Sequence, residues 1–350
     1  MGKINVRSPY FINLSTTNLT SAQLEIQIYF GVANTSWQSS PQYTLSSTAI
    51  NAQINFEIAE LIKDYIQAKF DGSFPTTPAT DAEATTIFVD YRVTETINTT
   101  AQTPVDVLGE RAFYGYGYFE DGANPTFNNV FYLQTNNRIL KNINSTVTIP
   151  VDNTIAIRVD WLYQLATVSS VVLTPETNIE DQISYITNTG NFNVDEVAII
   201  TSFKTLFVAI DSYEKCKYTP IKLTFINKYG AYQEIWMFAN SILSMNTTEE
   251  RYKSNILTNG TYNTYDPQIK LLTKNANQTL TLNSDYYPES YNEIFRQLFL
   301  SEKVWIKYLG NTLGVNIENK QITYKTSLTD SLINYTIDVS FAFDTINNIR

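Results

Sequence analysis

From Ile333 to Phe343 every second residue is apolar: Ile333, Tyr335, Ile337, Val339, Phe341 and Phe343. Side chains alternate across a strand, so this run predicts one long final strand with a single buried face. The same alternation appears in Leu24–Phe30, and further strands are read at Ile87–Val93 and Thr154–Trp161. Tyr, Phe, Ile, Val and Thr, which suit a pleated half-buried surface, dominate these segments. No repeat of fixed period is present, which argues against a solenoid or propeller. The expected fold is mainly β, with two β-sandwich-like domains at 1–172 and 173–350. The boundary is placed where the apolar run Val171–Leu173 gives way to the polar Thr174-Pro-Glu-Thr-Asn178.

Each domain is expected to carry one amphipathic helix. Near 57–70, Ile58, Leu61, Ile62, Tyr65 and Ile66 follow helical spacing, and Asp71-Gly72 gives a stop signal. Near 289–300, Ser290 and Glu293 form a capping box, and Ile294, Phe295, Leu298 and Phe299 form an apolar stripe. Between them, Thr219–Asn227, Lys228-Tyr-Gly230 and Ala231–Phe238 predict a β-hairpin. The stretch from Asn246 to Thr281 is polar and shows only weak strand patterning.

Hydrophobic residues make up 43% of the chain and charged residues 17%, which excludes a disordered polymer. No apolar run approaches a membrane helix, and the opening MGKINVRSPYF lacks the apolar core of a secretory signal. The expectation is synthesis in a cytoplasm with no membrane partner. Net charge is −10, with 9 basic and 15 acidic residues up to position 170, and 15 and 19 beyond it. No concentrated basic footprint exists, so nucleic acid is not an expected partner.

Histidine is absent, which removes imidazole relays and imidazole metal ligands. Cys216 is the single cysteine and forms neither an internal disulfide nor a zinc cluster; it is read as a small buried hydrophobe. The chain has 35 asparagines, the drift of an AT-rich genome, and its Asn-x-Ser/Thr triplets arise at about the frequency chance gives. No phosphate-binding loop, dinucleotide fingerprint or nucleophile elbow occurs. The remaining enzymatic option is a carboxylate pair. The doublets Glu120/Asp121, Glu180/Asp181 and Glu249/Glu250 are read as solvated turns, since neighbours on a strand face opposite ways. No catalytic residue, metal site or cofactor is expected.

In Ala112-Phe-Tyr-Gly-Tyr-Gly-Tyr-Phe119, Tyr114, Tyr116 and Tyr118 fall on one face if the segment is a strand. They are read as a core or interface ladder, with an exposed glycan-stacking platform as the alternative.

Several segments resemble virion proteins of crAss-like and related short-tailed bacteriophages. Thr224-Phe-Ile-Asn-Lys-Tyr-Gly-Ala-Tyr-Gln-Glu-Ile-Trp-Met-Phe238 matches a strand-turn of the form F-x-N-x-x-G followed by an aromatic strand. Glu293–Ile306 and Thr329–Phe341 are similar too, as are Ser8–Ile12 and Phe56–Ile66, all in matching order. The resemblance implies a non-enzymatic structural role in the virion, in the tail hub or baseplate. The partners would be copies of the chain in a closed ring, docked by strand edges and loops, and other tail proteins. By the same resemblance Phe225, Asn227, Gly230, Trp236 and Trp305 are signature residues. Asn227 and Gly230 would shape the hairpin turn, and Trp236 and Trp305 would pack the core. The alternatives are a receptor-binding or fibre-like adhesin for host glycans, a tail-associated depolymerase, and a head-decoration protein.

Overall fold

The computed structural model describes residues 3–74, 84–127, 130–175, 183–188, 193–214, 217–319, 321, 323 and 332–346. Cys216, Glu180, Asp181 and most of the Pro/Thr-rich segment 73–84 lie outside the described residues. The fold is mainly β, with 53% strand and 6% helix.

The chain divides into two compact units, and neither is continuous in sequence. Unit 1 comprises Met1–Glu214, Thr224–Ile235 and Glu293–Ser301; unit 2 comprises Lys215–Leu223, Trp236–Asn292 and Glu302–Arg350. This differs from the boundary expected near 172. The chain stays in unit 1 after Leu173: Glu196–Ile200 pairs with Ile157–Tyr163, and Thr205–Tyr213 with Glu196–Ile200, in the same sheet as Ala166–Leu173.

Unit 1 holds two large sheets. One runs in the order Lys3–Asn5, Val105–Phe113, Thr86–Ile97, Leu19–Tyr29, Tyr43–Thr48, with Thr100–Ala101 beside Thr86–Ile97. Leu24, Ile26 and Ile28 are buried while Gln23 faces solvent, as the alternation requires. A bulge at Val89/Tyr91 turns Asp90 inward. Its buried carboxylate accepts from Gly109 N at 2.6 Å, Tyr29 Oη at 3.0 Å and Asn34 Nδ2 at 2.8 Å. Those three donors are what make a buried carboxylate tolerable. The second sheet runs Ala166–Leu173, Ile157–Tyr163, Glu196–Ile200, Thr205–Tyr213, Arg138–Asn142. Its core gathers around Trp161, with Ile149, Val151, Val159, Val197 and Ile199.

In unit 2 five strands of one sheet follow the order Val304–Tyr308, Asn311–Ile317, Thr336–Phe341, Ile269–Asn283, Ile242–Lys253, and Tyr287–Pro288 pairs separately with Leu332–Ile333. The expected long final strand is shorter at both ends: it spans Thr336–Phe341, Ile333 pairs with Tyr287 in a separate two-stranded sheet, and Phe343, beyond the strand, is 47% exposed instead of buried with the rest of its alternating set. Ile337 and Val339 are fully buried because this strand sits inside the sheet, between Asn311–Ile317 and Ile269–Asn283.

The helices depart from expectation. The first spans only Ala59–Lys63. Beyond it Ile66, Ala68 and Phe70 are buried while Gln67, Lys69 and Asp71 are exposed, which is an extended pattern. Leu61 and Tyr65 are half-buried. The second helix is Asn292–Leu300 and buries Ile294, Phe295, Gln297 and Leu298, with Phe299 half-buried. The two units do not each carry one helix: Ala59–Lys63 and Glu293–Leu300 both belong to unit 1.

Candidate functional site: a buried tyrosine junction and an exposed hairpin arm

The strand Val105–Phe113 ends before the tyrosine–glycine run. Its continuation is held by backbone bonds to several segments. Tyr114 N donates to Thr85 O at 2.9 Å, Arg7 N to Gly115 O at 3.0 Å, and Tyr116 N to Lys228 O at 2.9 Å. A Cβ on Gly115 would lie 2.6 Å from both Asn5 Oδ1 and Lys228 O. Glycine is therefore required by the close approach of two backbones, not by a strand face. Tyr114 is 4% and Tyr116 6% exposed, so neither belongs to an open glycan platform. Tyr118 is half-buried; its Oη donates to Glu293 Oε1 at 2.6 Å, and Arg296 sits 3.6 Å over its ring. The solvent-facing aromatic here is the next residue, Phe119, which is 99% exposed.

The segment that meets this run is the tip of the expected hairpin, Ile221–Ile226 with Tyr232–Met237. Asn227 is fully buried and shapes the turn through both ends of its amide. Its Oδ1 accepts from Tyr229 N at 3.0 Å and Ala231 N at 3.1 Å; its Nδ2 donates to Leu133 O at 2.7 Å and Gln233 Oε1 at 3.0 Å. Gly230 supplies φ of +78°, in contact with the Tyr114–Gly115 backbone. Phe225 is fully buried. The two tryptophans depart from expectation. Trp236 and Trp305 are only half-buried, because their neighbours Ile235 and Met237, and Val304 and Ile306, take the buried face of each strand. Trp161 fills the core instead.

Burial pushes the phenols of Tyr116 and Tyr229 up to about 12, and raises Tyr118, which also faces the Glu293 carboxylate. The folded state thus holds protons that an unfolded chain would release near pH 10. Stability from these groups is complete below about pH 10 and is lost as pH rises towards about 12. Urea midpoints of unit 1 are expected to stay level from about pH 7 to about 9 and to fall above about 10. Tyr116→Phe with Tyr229→Phe should flatten that fall; an unchanged slope would show that other groups carry it.

Among the described residues no group of three or more His, Cys, Asp or Glu converges on a point. Asp121 Oδ2 accepts from Tyr118 N at 2.8 Å and closes a turn. Glu249 and Glu250 lie within a strand, not a turn; Glu249 pairs with Arg251 and with Lys274. An open depression of about 730 Å³ in unit 2 is lined by Glu318 and Asp344 among amides and hydroxyls. There Glu318 accepts from Ser340 Oγ, and Asp344 from Asn275 Nδ2 at 2.9 Å, so each carboxylate, just past a strand end, already bonds a side chain of a neighbouring strand. No helix among the described residues is long and apolar enough to cross a membrane.

An exposed ribbon lies in unit 2, in the stretch the sequence marked as weakly patterned. Ile242–Lys253 pairs with Ile269–Thr281 over its whole length. Thr336–Phe341 covers only Thr279–Asn283 of the second strand. Beyond Asn275 the ribbon is therefore two-stranded, extending about 20 Å at ~3.3 Å per residue before its tip. Thr258 and Thr261 close an inner turn with bonds of 2.8 and 3.1 Å, and Asn259 and Gly260 supply its positive φ. Ile242, Met245, Leu257, Tyr262, Ile269 and Leu272 are each more than half exposed.

No protein-family model matches this sequence, and a search of curated proteins gives no significant match.

Proposed function

We propose that this chain is a structural subunit of a tailed-phage virion, built into the tail hub or baseplate as a ring of copies that also contacts other tail proteins. Its role is assembly, without catalysis. The observation that carries this reading is the hairpin arm. A two-stranded ribbon with apolar side chains in solvent gains little from its own unit. It gains that burial when a neighbouring chain covers it. The sequence resemblance to short-tailed phage virion proteins points to the same class, and the short-tailed particle supplies the setting. The adhesin reading loses Tyr114 and Tyr116, which are buried.

Immunogold labelling of purified virions with an antibody to the native chain tests the proposal. Several gold particles clustered at the tail are expected. Gold spread over the capsid would move the protein to the head, and particles without label would overturn a virion role.

A further inference from the structure

Among the described residues, Ala166–Leu173 in unit 1 and Ile242–Lys253 in unit 2 are each the outermost strand at one end of a sheet. Such edges are normally guarded by charge, proline or a bulge, because their free N–H and C=O groups template pairing with another chain. Over 166–173 and 242–248 that guard is reduced to one bulge, at Val168 between Thr167 and Ser169, and the charges of the second strand begin only at Glu249. Ala166-Thr-Val-Ser-Ser-Val-Val-Leu173 has no charged residue, proline or glycine; neither has Ile242-Leu-Ser-Met-Asn-Thr-Thr248, the base of the arm. Each also exposes two consecutive apolar residues, Val171 at 37% with Val172 at 69%, and Ile242 at 57% with Leu243 at 45%. Consecutive residues on a strand face opposite ways, so both edges present apolar groups on both faces. Such a strand suits the interior of a sheet.

We propose that Ile242–Thr248 of one copy adds as a strand to the Ala166–Leu173 edge of a second copy. Backbone hydrogen bonds across the new ladder give the affinity. The lack of charge on both segments means that chains of net charge −10 meet there without local repulsion. Every copy carries one donor edge and one acceptor edge, which are different surfaces. The contact is therefore head-to-tail, and repeated it closes a ring or extends a filament. This pairing rests on the ring reading given above and names the surfaces that reading left open.

The test uses the full chain with a photo-crosslinking phenylalanine analogue in place of Ser244, as concentrated protein and incorporated into virions. A product of twice the chain mass on a denaturing gel marks a link between copies, and mass spectrometry locates it. The expected result is a link from position 244 to the peptide containing 166–173, lost in Val172→Lys and kept in Val105→Lys, an exposed control elsewhere. Circular dichroism verifies that both variants fold. Links to other segments, to other proteins, or none, in virions that contain the chain, would overturn the pairing and leave the virion reading standing. Virions without the chain would overturn that reading, and the concentrated protein then decides the pairing by the same gel.

Discussion

Asn227→Ala is expected to destabilise unit 1 by about 3 kcal/mol or more, because it strands several buried polar groups at once. Tyr229 N and Ala231 N lose their acceptor, and Leu133 O and Gln233 Oε1 lose their donor. Alanine offers nothing in return, and the site is fully buried, so water reaches it only by opening the turn. The loss is to be read locally, since a chain of two units need not unfold in one step. Hydrogen exchange in peptides covering Ile157–Tyr163 and Thr224–Ile235 gives that reading. Gln233→Ala removes only one of the four partners and is expected to cost about 1 kcal/mol. Equal losses in the two variants would mean that the Asn227 network does not hold the turn.

Gly115→Ala is expected to cost about 3 kcal/mol by overpacking. The methyl would press on Lys228 O, and that carbonyl is fixed by the bond from Tyr116 N. It would press equally on Asn5 Oδ1, whose side chain is held by the 2.6 Å bond from its Nδ2 to Pro125 O. Neither neighbour moves without losing a bond. Gly122→Ala is the comparison: φ there is +76°, but nothing lies within 4 Å of the new methyl. Only backbone strain is expected at Gly122, of about 1–3 kcal/mol because φ 76° with ψ −165° is a region glycine alone adopts readily. Thermal unfolding measures both variants, and a Gly115 variant as stable as the unsubstituted chain would contradict the close approach.

One part of the fold was legible because burial writes a period into the chain. Thr336–Phe341 has one wetter and one dry face, so its apolar residues alternate, while the hairpin on either side of Asn227–Gly230 is buried nearly throughout and was legible from its turn residues and its apolar and aromatic strands. The first helix misled for a definable reason. Ile58, Ile62 and Ile66 are spaced by four, which satisfies a helical stripe and also a period of two. Ile54, Phe56 and Ile58, then Ile66, Ala68 and Phe70, show that most of this segment follows the second period. The tryptophans misled because size was weighed above parity: each stands between two buried neighbours on its strand. The one-face reading of Tyr114, Tyr116 and Tyr118 required a strand, yet Gly115 marks the close approach of the Lys228 backbone, over a hundred residues away, and Gly117 makes room for the nearby Pro125 ring. The arm left almost no period because nothing inside its own unit selects one of its faces. Its one local signal was Asn259-Gly260, a favoured hairpin dipeptide in a stretch otherwise read as polar.

The discontinuity of unit 1 bears on synthesis. Its first 214 residues leave the ribosome well before Glu293–Ser301, and at about 5–20 residues per second the interval is on the order of ten seconds. Until then the nascent chain lacks Arg296, Gln297 and the Glu293 acceptor of Tyr118. During that interval the tyrosine junction is incomplete, and its apolar surface is open to chaperones. The arm, residues 242–281, emerges within the same window, so its uncharged edge is present in the polysome before unit 1 has closed. Neighbouring nascent chains on one message could then meet edge to edge, and the late arrival of residues 293–301 becomes a kinetic hazard that slow translation would lengthen.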